Sequence, residues 1–258
     1  MRGRLRRICR YVYVALTAVP CGNRYAVIDS HLVGIFCLRR LAVFLPLLAV
    51  ACSETHVSMS NGPREYVPSD YNTVLTRWTR TEQLITLSEL DDMLTATATF
   101  ESWDFRWAYV VKYSADYRLT VEQRRELLQR TLADTQVKYE FYVALYGTKW
   151  RWDDLTKPTS AWIVRLIDEK GNETAPTHLE LLRPGPIEYR YFPYTSPHRH
   201  CFRIAFPRVS TDGKPTIADD AAWFGLRFAG AQGNEELRWE IETPEKKAAL
   251  AAPHTDVE

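Results

Sequence analysis

Alternation of side chains with a period of two dominates the second half of the chain. Tyr139, Phe141, Val143 and Leu145 alternate with Glu140, Tyr142 and Ala144. Similar runs recur at Leu179 and Leu181, at Ile187, Tyr189 and Tyr191, and at Phe202, Ile204 and Phe206. Two more follow, at Phe224, Leu226 and Phe228 and at Leu237, Trp239 and Ile241; Trp162 to Ile167 reads as a buried run. Successive side chains of a strand point to opposite faces, so these runs predict strands with a buried face. Turn residues separate them: Asp168 to Asn172 around Gly171, then Pro184-Gly185-Pro186, Pro193, Pro207, and Gly230 to Gly233. Upstream, Leu94, Ala96, Ala98 and Phe100 alternate with three threonines and predict a further strand. About seven short strands with turns between them predict a mainly β fold, an antiparallel β-sandwich that is Ig-like in the broad sense.

Elsewhere the period changes to that of a helix. Val74, Leu75 and Trp78 predict one short helix within 71–83. Ser102 is placed to cap a helix over 103–117, with Asp104 favourable to the dipole in its first turn. Trp103, Trp107, Val110, Val111 and Ser114 form one stripe of that helix, and Tyr109, Tyr113 and Tyr117 a neighbouring one. Thr120 and Gln123 form a capping box for a second helix over 121–136, with Leu127, Leu128, Leu132 and Val121 as its apolar stripe. Together they predict a helical hairpin inserted in the sandwich or flanking it. The domain is expected to span 71–243, with a frayed tail over 244–258. Residues 53–70 are rich in Ser, Thr, Asn, Gly and Pro and predict a flexible tether.

The N-terminal region has a different character. Residues 1–51 carry eight arginines and one aspartate, hence +7, so that the remainder of this +1 chain carries −6. After Arg39 and Arg40, the apolar run Leu41 to Ala51 has the length of a signal-peptide core, about 16 Å as a helix and too short to span a bilayer. The run ends in Leu48-Ala49-Val50-Ala51-Cys52, which resembles a bacterial lipobox, with Ala49 where Leu is most usual. The resemblance implies removal of the leader 1–51 and lipidation of Cys52 as the new N-terminus. Cleavage after Ala51 by the ordinary signal peptidase, giving a secreted protein, is the competing reading, and a buried core strand is a third. A leader of 51 residues exceeds the usual length of about 15–30, which predicts a translation start downstream of Met1, near Val33 or Leu38. Ser53 after the cysteine resembles an outer-membrane sorting pattern. Of five cysteines, Cys9, Cys21 and Cys37 leave with the leader and Cys52 takes lipid, so Cys201 remains alone and no intramolecular disulfide is expected. With a near-neutral total and an acidic body, no nucleic-acid partner is expected.

Candidate chemistry is sparse. The chain has no Gly-rich phosphate loop, no Gly-x-Ser-x-Gly elbow, no His-Glu-x-x-His and no Cys-x-x-Cys. His198 and His200, two apart on a strand, would point the same way about 6.6 Å apart, with Cys201 on the opposite side. A metal there needs a third ligand, for example His178. The pairs Asp91-Asp92, Asp153-Asp154 and Asp219-Asp220 sit beside expected turns and read as solvated caps; Asp153 or Asp154 is also a possible calcium ligand. Trp150, Trp152 and Trp162, with Tyr189, Tyr191, Phe192 and Tyr194, give the sandwich aromatics that either pack its faces or stack on sugar rings. Arg124, Arg125 and Arg130 read as the wet face of the second helix, with anionic lipid contact as the minority reading.

The segments Ala98-Thr99-Phe100-Glu101-Ser102-Trp103-Asp104-Phe105-Arg106-Trp107-Ala108-Tyr109, Val143-Ala144-Leu145-Tyr146 and Tyr191-Phe192-Pro193-Tyr194 resemble a group of envelope lipoproteins of unknown function from myxobacteria-like bacteria. The resemblance covers most of 75–241 and implies an envelope location; it brings no catalytic residues. The expected function is therefore a lipid-anchored, non-enzymatic structural or interaction module of the cell envelope, facing the periplasm from the outer membrane, with no cofactor. Its partner would be an envelope protein or a glycan. A glycan- or peptidoglycan-binding module using Trp150, Trp152 and Tyr191 is the first alternative, and a metal-dependent hydrolase around His198 and His200 the second.

Overall fold

The computed structural model describes residues 55–86, 91–147 and 149–242. The leader 1–51, Cys52 and the tail 244–258 lie outside the described residues. Among the described residues, ten strands form two five-stranded sheets. The first sheet runs in the order β1 (His56–Val57), β10 (Gly233–Ile241), β9 (Trp223–Gly230), β5 (Trp162–Asp168) and β6 (Glu173–Thr174). The second runs β2 (Thr79–Thr86), β3 (Asp91–Phe100), β4 (Lys138–Tyr146), β8 (His200–Pro207) and β7 (His178–Leu182). All pairs are antiparallel except β1 with β10. The expected antiparallel β-sandwich with a helical hairpin is the architecture.

The inner faces meet over aromatic rings. The Phe100 ring lies 5.1 Å from Phe224, and Phe141 lies 5.5 Å from Trp239, which itself stacks on Phe224. Each such ring, fully buried, contributes about 1.5–3 kcal/mol relative to exposure. The outer faces differ. On the first sheet Ile163, Arg165, Arg227, Glu236 and Arg238 face outwards and keep water contact, with Arg227 bridging Glu173 and Glu236. On the second sheet the outward positions Thr97, Thr99, Glu140, Tyr142 and Cys201 are all buried. The threonine face of β3, polar in sequence, is covered by the segment 192–199. Tyr142 stacks on Phe192 at 4.0 Å, Thr99 hydrogen-bonds the Tyr194 hydroxyl at 2.7 Å, and the Arg199 guanidinium donates to Thr97 Oγ1 at 3.1 Å.

The helical hairpin forms as its caps predict. In α2 (Trp103–Asp116) the Ser102 hydroxyl accepts from the Phe105 N–H at 3.0 Å; α1 (Tyr71–Trp78) precedes it. In α3 (Val121–Val137) Thr120 and Gln123 exchange hydrogen bonds between side chain and backbone. The stripes are less accurate. Trp103 and Trp107 are only half-buried, whereas Asp104, Phe105 and Arg106 are buried. Along α3 only Leu132 and Thr135 are buried, and Val121 is exposed.

The short helix expected within 71–83 is α1, which ends at Trp78, where the carbonyl accepts from the Trp239 indole and Thr79 begins a strand; two other expectations are corrected. Thr79 and Thr81 then pair with Thr99 and Thr97 across β3 through their hydroxyls, at 2.7 Å and 3.1 Å. The strand expected at Ile187, Tyr189 and Tyr191 is a short helix, α4 (Pro186–Tyr191). Pro186 presets its first φ, and Glu188 Oε2 accepts from the Gly185 N–H at 2.8 Å. The tether expected over 53–70 is packed from Thr55 onwards. Val57 is fully buried in β1, Gly62 accepts from the Trp103 indole at 2.7 Å, and Arg64 and Tyr66 both bind Asp104.

Candidate functional site

The chain leaves β4 at Tyr146 and enters a loop beside the start of β8, since Leu145 pairs with His200. Gly147 allows the loop to fold tightly, because a Cβ there would overlap the Asp153 carboxylate. The result is a rim at one end of the sandwich. Trp150 and Trp152 are 50% and 48% exposed, while the other six tryptophans are buried or half-buried. The Trp150 ring lies over His200, with centroids 3.6 Å apart.

Beneath the rim are buried polar groups, two of which each have one atom without a partner. His200, Asp153 and Asp154 are buried. Among the described residues, His200 Nδ1 and Asp153 Oδ2 have no hydrogen-bond partner. Burial pushes Asp153 up to about 6, with the Trp162 indole opposing. Burial pushes His200 down, with the Asp154 carboxylate opposing. Asp154 Oδ1 accepts from the Thr156 N–H at 3.0 Å and from its hydroxyl at 2.6 Å. The two aspartates are therefore not solvated caps. Asp219 and Asp220 are exposed in a turn, as expected, and Asp91 and Asp92 begin β3.

The other sequence candidates do not converge on the rim. Tyr191 is buried at the end of α4, where its hydroxyl donates to Asp116 Oδ2 at 3.0 Å and its carbonyl accepts from Tyr71 at 2.7 Å. Its ring packs edge-on or tilted against Tyr71, Tyr109 and Tyr113 and is 1% exposed, with no face open to a sugar. His198 is exposed in a turn before β8, whereas His200 is buried in it, so the two do not share a strand face. His178 pairs with Ala205, five positions along β8 from His200. Among the described residues no three His, Cys, Asp or Glu side chains come together to hold a metal ion. Cys201 is buried and unpaired, and burial pushes its thiol up. Arg124, Arg125 and Arg130 lie on the wet face of α3, and no helix among the described residues is long and apolar enough to cross a membrane.

A second concavity lies between the hairpin and the outer face of the second sheet, with a volume of about 350 Å³. Its charged wall is organised by Arg106. That guanidinium donates to the Glu101 carbonyl at 3.1 Å, to the Thr131 carbonyl at 3.0 Å, and to the Glu140 carboxylate. Burial pushes Glu140 up, but Arg106 and Lys138 outweigh it and hold the carboxylate below its usual range. Phe105, Tyr109, Ile187 and Phe192 give the apolar wall.

Near the first turn of α2, Asp104 accepts from four side chains. These are Tyr66 at 2.5 Å, Arg64 at 2.9 Å, the Trp78 indole at 3.0 Å and Arg77 at 3.3 Å. Burial acts to raise its pKa, but these donors outweigh it and leave the carboxyl below the ordinary range. The sequence marked Asp104 only as a dipole partner and did not mark Arg106, Glu140 or Arg203. The readable signal was a charged residue inside an otherwise apolar run. Compared with known proteins, the chain matches no protein-family model and no curated protein.

Proposed function

We propose that this chain is a lipid-anchored binding module of the cell envelope that acts without chemistry of its own, and that it meets a glycan at the Trp150–Trp152 rim. The observation that carries the reading is the exposure of these two indoles alone among eight tryptophans. Apolar indole faces stack on the C–H faces of sugar rings, and exposed aromatics beside polar groups are a favoured binding surface. The lipobox-like sequence ending at Cys52 supports an anchor, and the Arg106 network supports a structural role for the buried charges rather than a catalytic one. Tyr191, buried in the aromatic cluster of α4, drops out of the binding set.

Two measurements test the reading. Co-sedimentation with purified peptidoglycan and titration with soluble chito-oligosaccharides should give saturable binding, weakened about tenfold by Trp150→Ala or Trp152→Ala, the effect of losing ~1.4 kcal/mol. Glycan binding unchanged by the double substitution would remove the rim from the function. Cys52→Ser should move the protein from the membrane to the soluble fraction; unchanged fractionation and no fatty-acid labelling of the native chain would remove the anchor.

A further inference from the structure

We infer that the cleft between the helical hairpin and the second sheet is a binding site for a small zwitterion, an amino acid or short peptide carrying both an ammonium and a carboxylate. The inference does not depend on the rim. It rests on a contrast between two arginines that line the same cavity. Arg106 is saturated by the backbone and carboxylate acceptors of Glu101, which precedes α2, and of α3 and β4. Arg203, on β8, makes no hydrogen bond among the described residues; its nearest anion is Glu101 Oε1 at 3.7 Å, too long for one. Its Nε is sealed from solvent, but its side chain as a whole is 38% exposed and lines the cavity. The neighbouring Glu101 carboxylate raises the Arg203 pKa further, against burial, so the charge is permanent.

A guanidinium with unused donors in a concave site is matched by a carboxylate, which accepts two parallel N–H bonds. The remaining charges decide what else the ligand carries. Glu140 is taken by Arg106 and Lys138, and Asp134 lies 3.7 Å from Arg106. Glu101, held at its other oxygen by Arg106 at 3.2 Å, and Glu188, whose Oε2 accepts from the Gly185 N–H, are the carboxylates that act on Arg203, and among the described residues Glu101 Oε1 has no hydrogen bond. A multivalent anion such as phosphate would meet both of them, and a simple cation would meet Arg203. A molecule with one charge of each sign meets neither penalty. The volume of about 350 Å³ falls at the small end of ligand pockets and admits a dipeptide, with Phe105, Ile187 and Phe192 offering contact to its side chains.

The test is a titration of the full-length chain, by calorimetry or amide chemical shifts, with L-alanyl-L-alanine. Parallel titrations use its N-acetyl form, its C-terminal amide, acetate and inorganic phosphate. Saturable dipeptide binding is expected, weakened at least about tenfold by blocking either end and by Arg203→Gln, and unaffected by Arg124→Gln on the wet face of α3. A circular-dichroism melt checks that Arg203→Gln is folded; the blocked-ligand series on the native protein stands whether or not it is. No saturation by about 10 mM, equal binding of the blocked forms, or tighter binding of phosphate would each overturn the inference. Loss of glycan binding at the rim would leave it untouched.

Discussion

Asp104→Asn is the sharpest test of how the domain is held together. The change keeps the size of the side chain and removes its charge. The native carboxylate accepts from Tyr66, Arg64, Trp78 and Arg77, so it joins the segment 55–70, the end of α1 and the start of α2 at one point. An asparagine keeps one acceptor oxygen but turns its amide donors towards a cluster that is itself made of donors. Arg64 is 22% exposed, and its share is correspondingly screened, but Asp104 itself is buried. Removing one partner of a buried charged network typically costs about 3–5 kcal/mol. For a domain of this size each kcal/mol lowers Tm by roughly 2–4 °C, so a fall of about 6–20 °C is expected. Urea unfolding followed by far-ultraviolet circular dichroism measures the free-energy difference. The pH dependence is a second, independent handle. Because the folded pKa of Asp104 lies below its unfolded value, its contribution is complete above the unfolded pKa, near 4, and is lost as pH falls through the folded pKa. The gap between native and variant protein should therefore be constant from neutral pH down to about 5 and narrow on further acidification. A gap under about 1 kcal/mol, or one that persists unchanged at acid pH, would refute the account of Asp104 as the joint.

Other outcomes follow from the same geometry. Gly147→Ala should displace the Asp153 carboxylate and with it the Trp150 loop, read as a change in the near-ultraviolet spectrum and a loss of about 1–3 kcal/mol in urea. Asp153 titrates in the opposite sense to Asp104: its folded pKa is raised, so its contribution is fully present below the unfolded value and is lost as pH rises towards about 6. Asp153→Asn should remove that downward slope between pH 4 and 6 from the stability profile, and a variant with the native slope would contradict it. Tyr191→Phe should leave glycan binding unchanged, since the ring is buried, and should cost about 0.5–1.5 kcal/mol for the lost bond to Asp116. Deleting residues up to Asp70 should destabilise the domain rather than merely free it from an anchor, because Val57 and Arg64 go with the segment; an unchanged urea midpoint would restore the tether reading.

What the sequence determined by itself is local. Alternation placed the cores of β3, β4, β8, β9 and β10, because the strand period depends only on the chain's own geometry. Ser102, Thr120 and Gln123 located the starts of both long helices, because a cap is a bond between residues three apart. The lone alternation at Ile187, Tyr189 and Tyr191 misled, because spacings of two and of four share residues and Pro186 with Glu188 decided for a helix. Tertiary structure decided the rest. It chose which sheet face is wet: the threonines of β3 look like solvent-facing residues until Tyr194 and Arg199, about a hundred positions away, cover them. It ended α1 at Trp78 through an indole 161 residues distant, and it gathered four donors onto Asp104. It also separated the histidines, left Trp150 and Trp152 at the surface, and set a saturated Arg106 beside an unsatisfied Arg203. Periodicity reports that a residue faces its own sheet's core. It carries no information about what packs on the opposite side, since that contact is made by chain far away in sequence and leaves no local pattern.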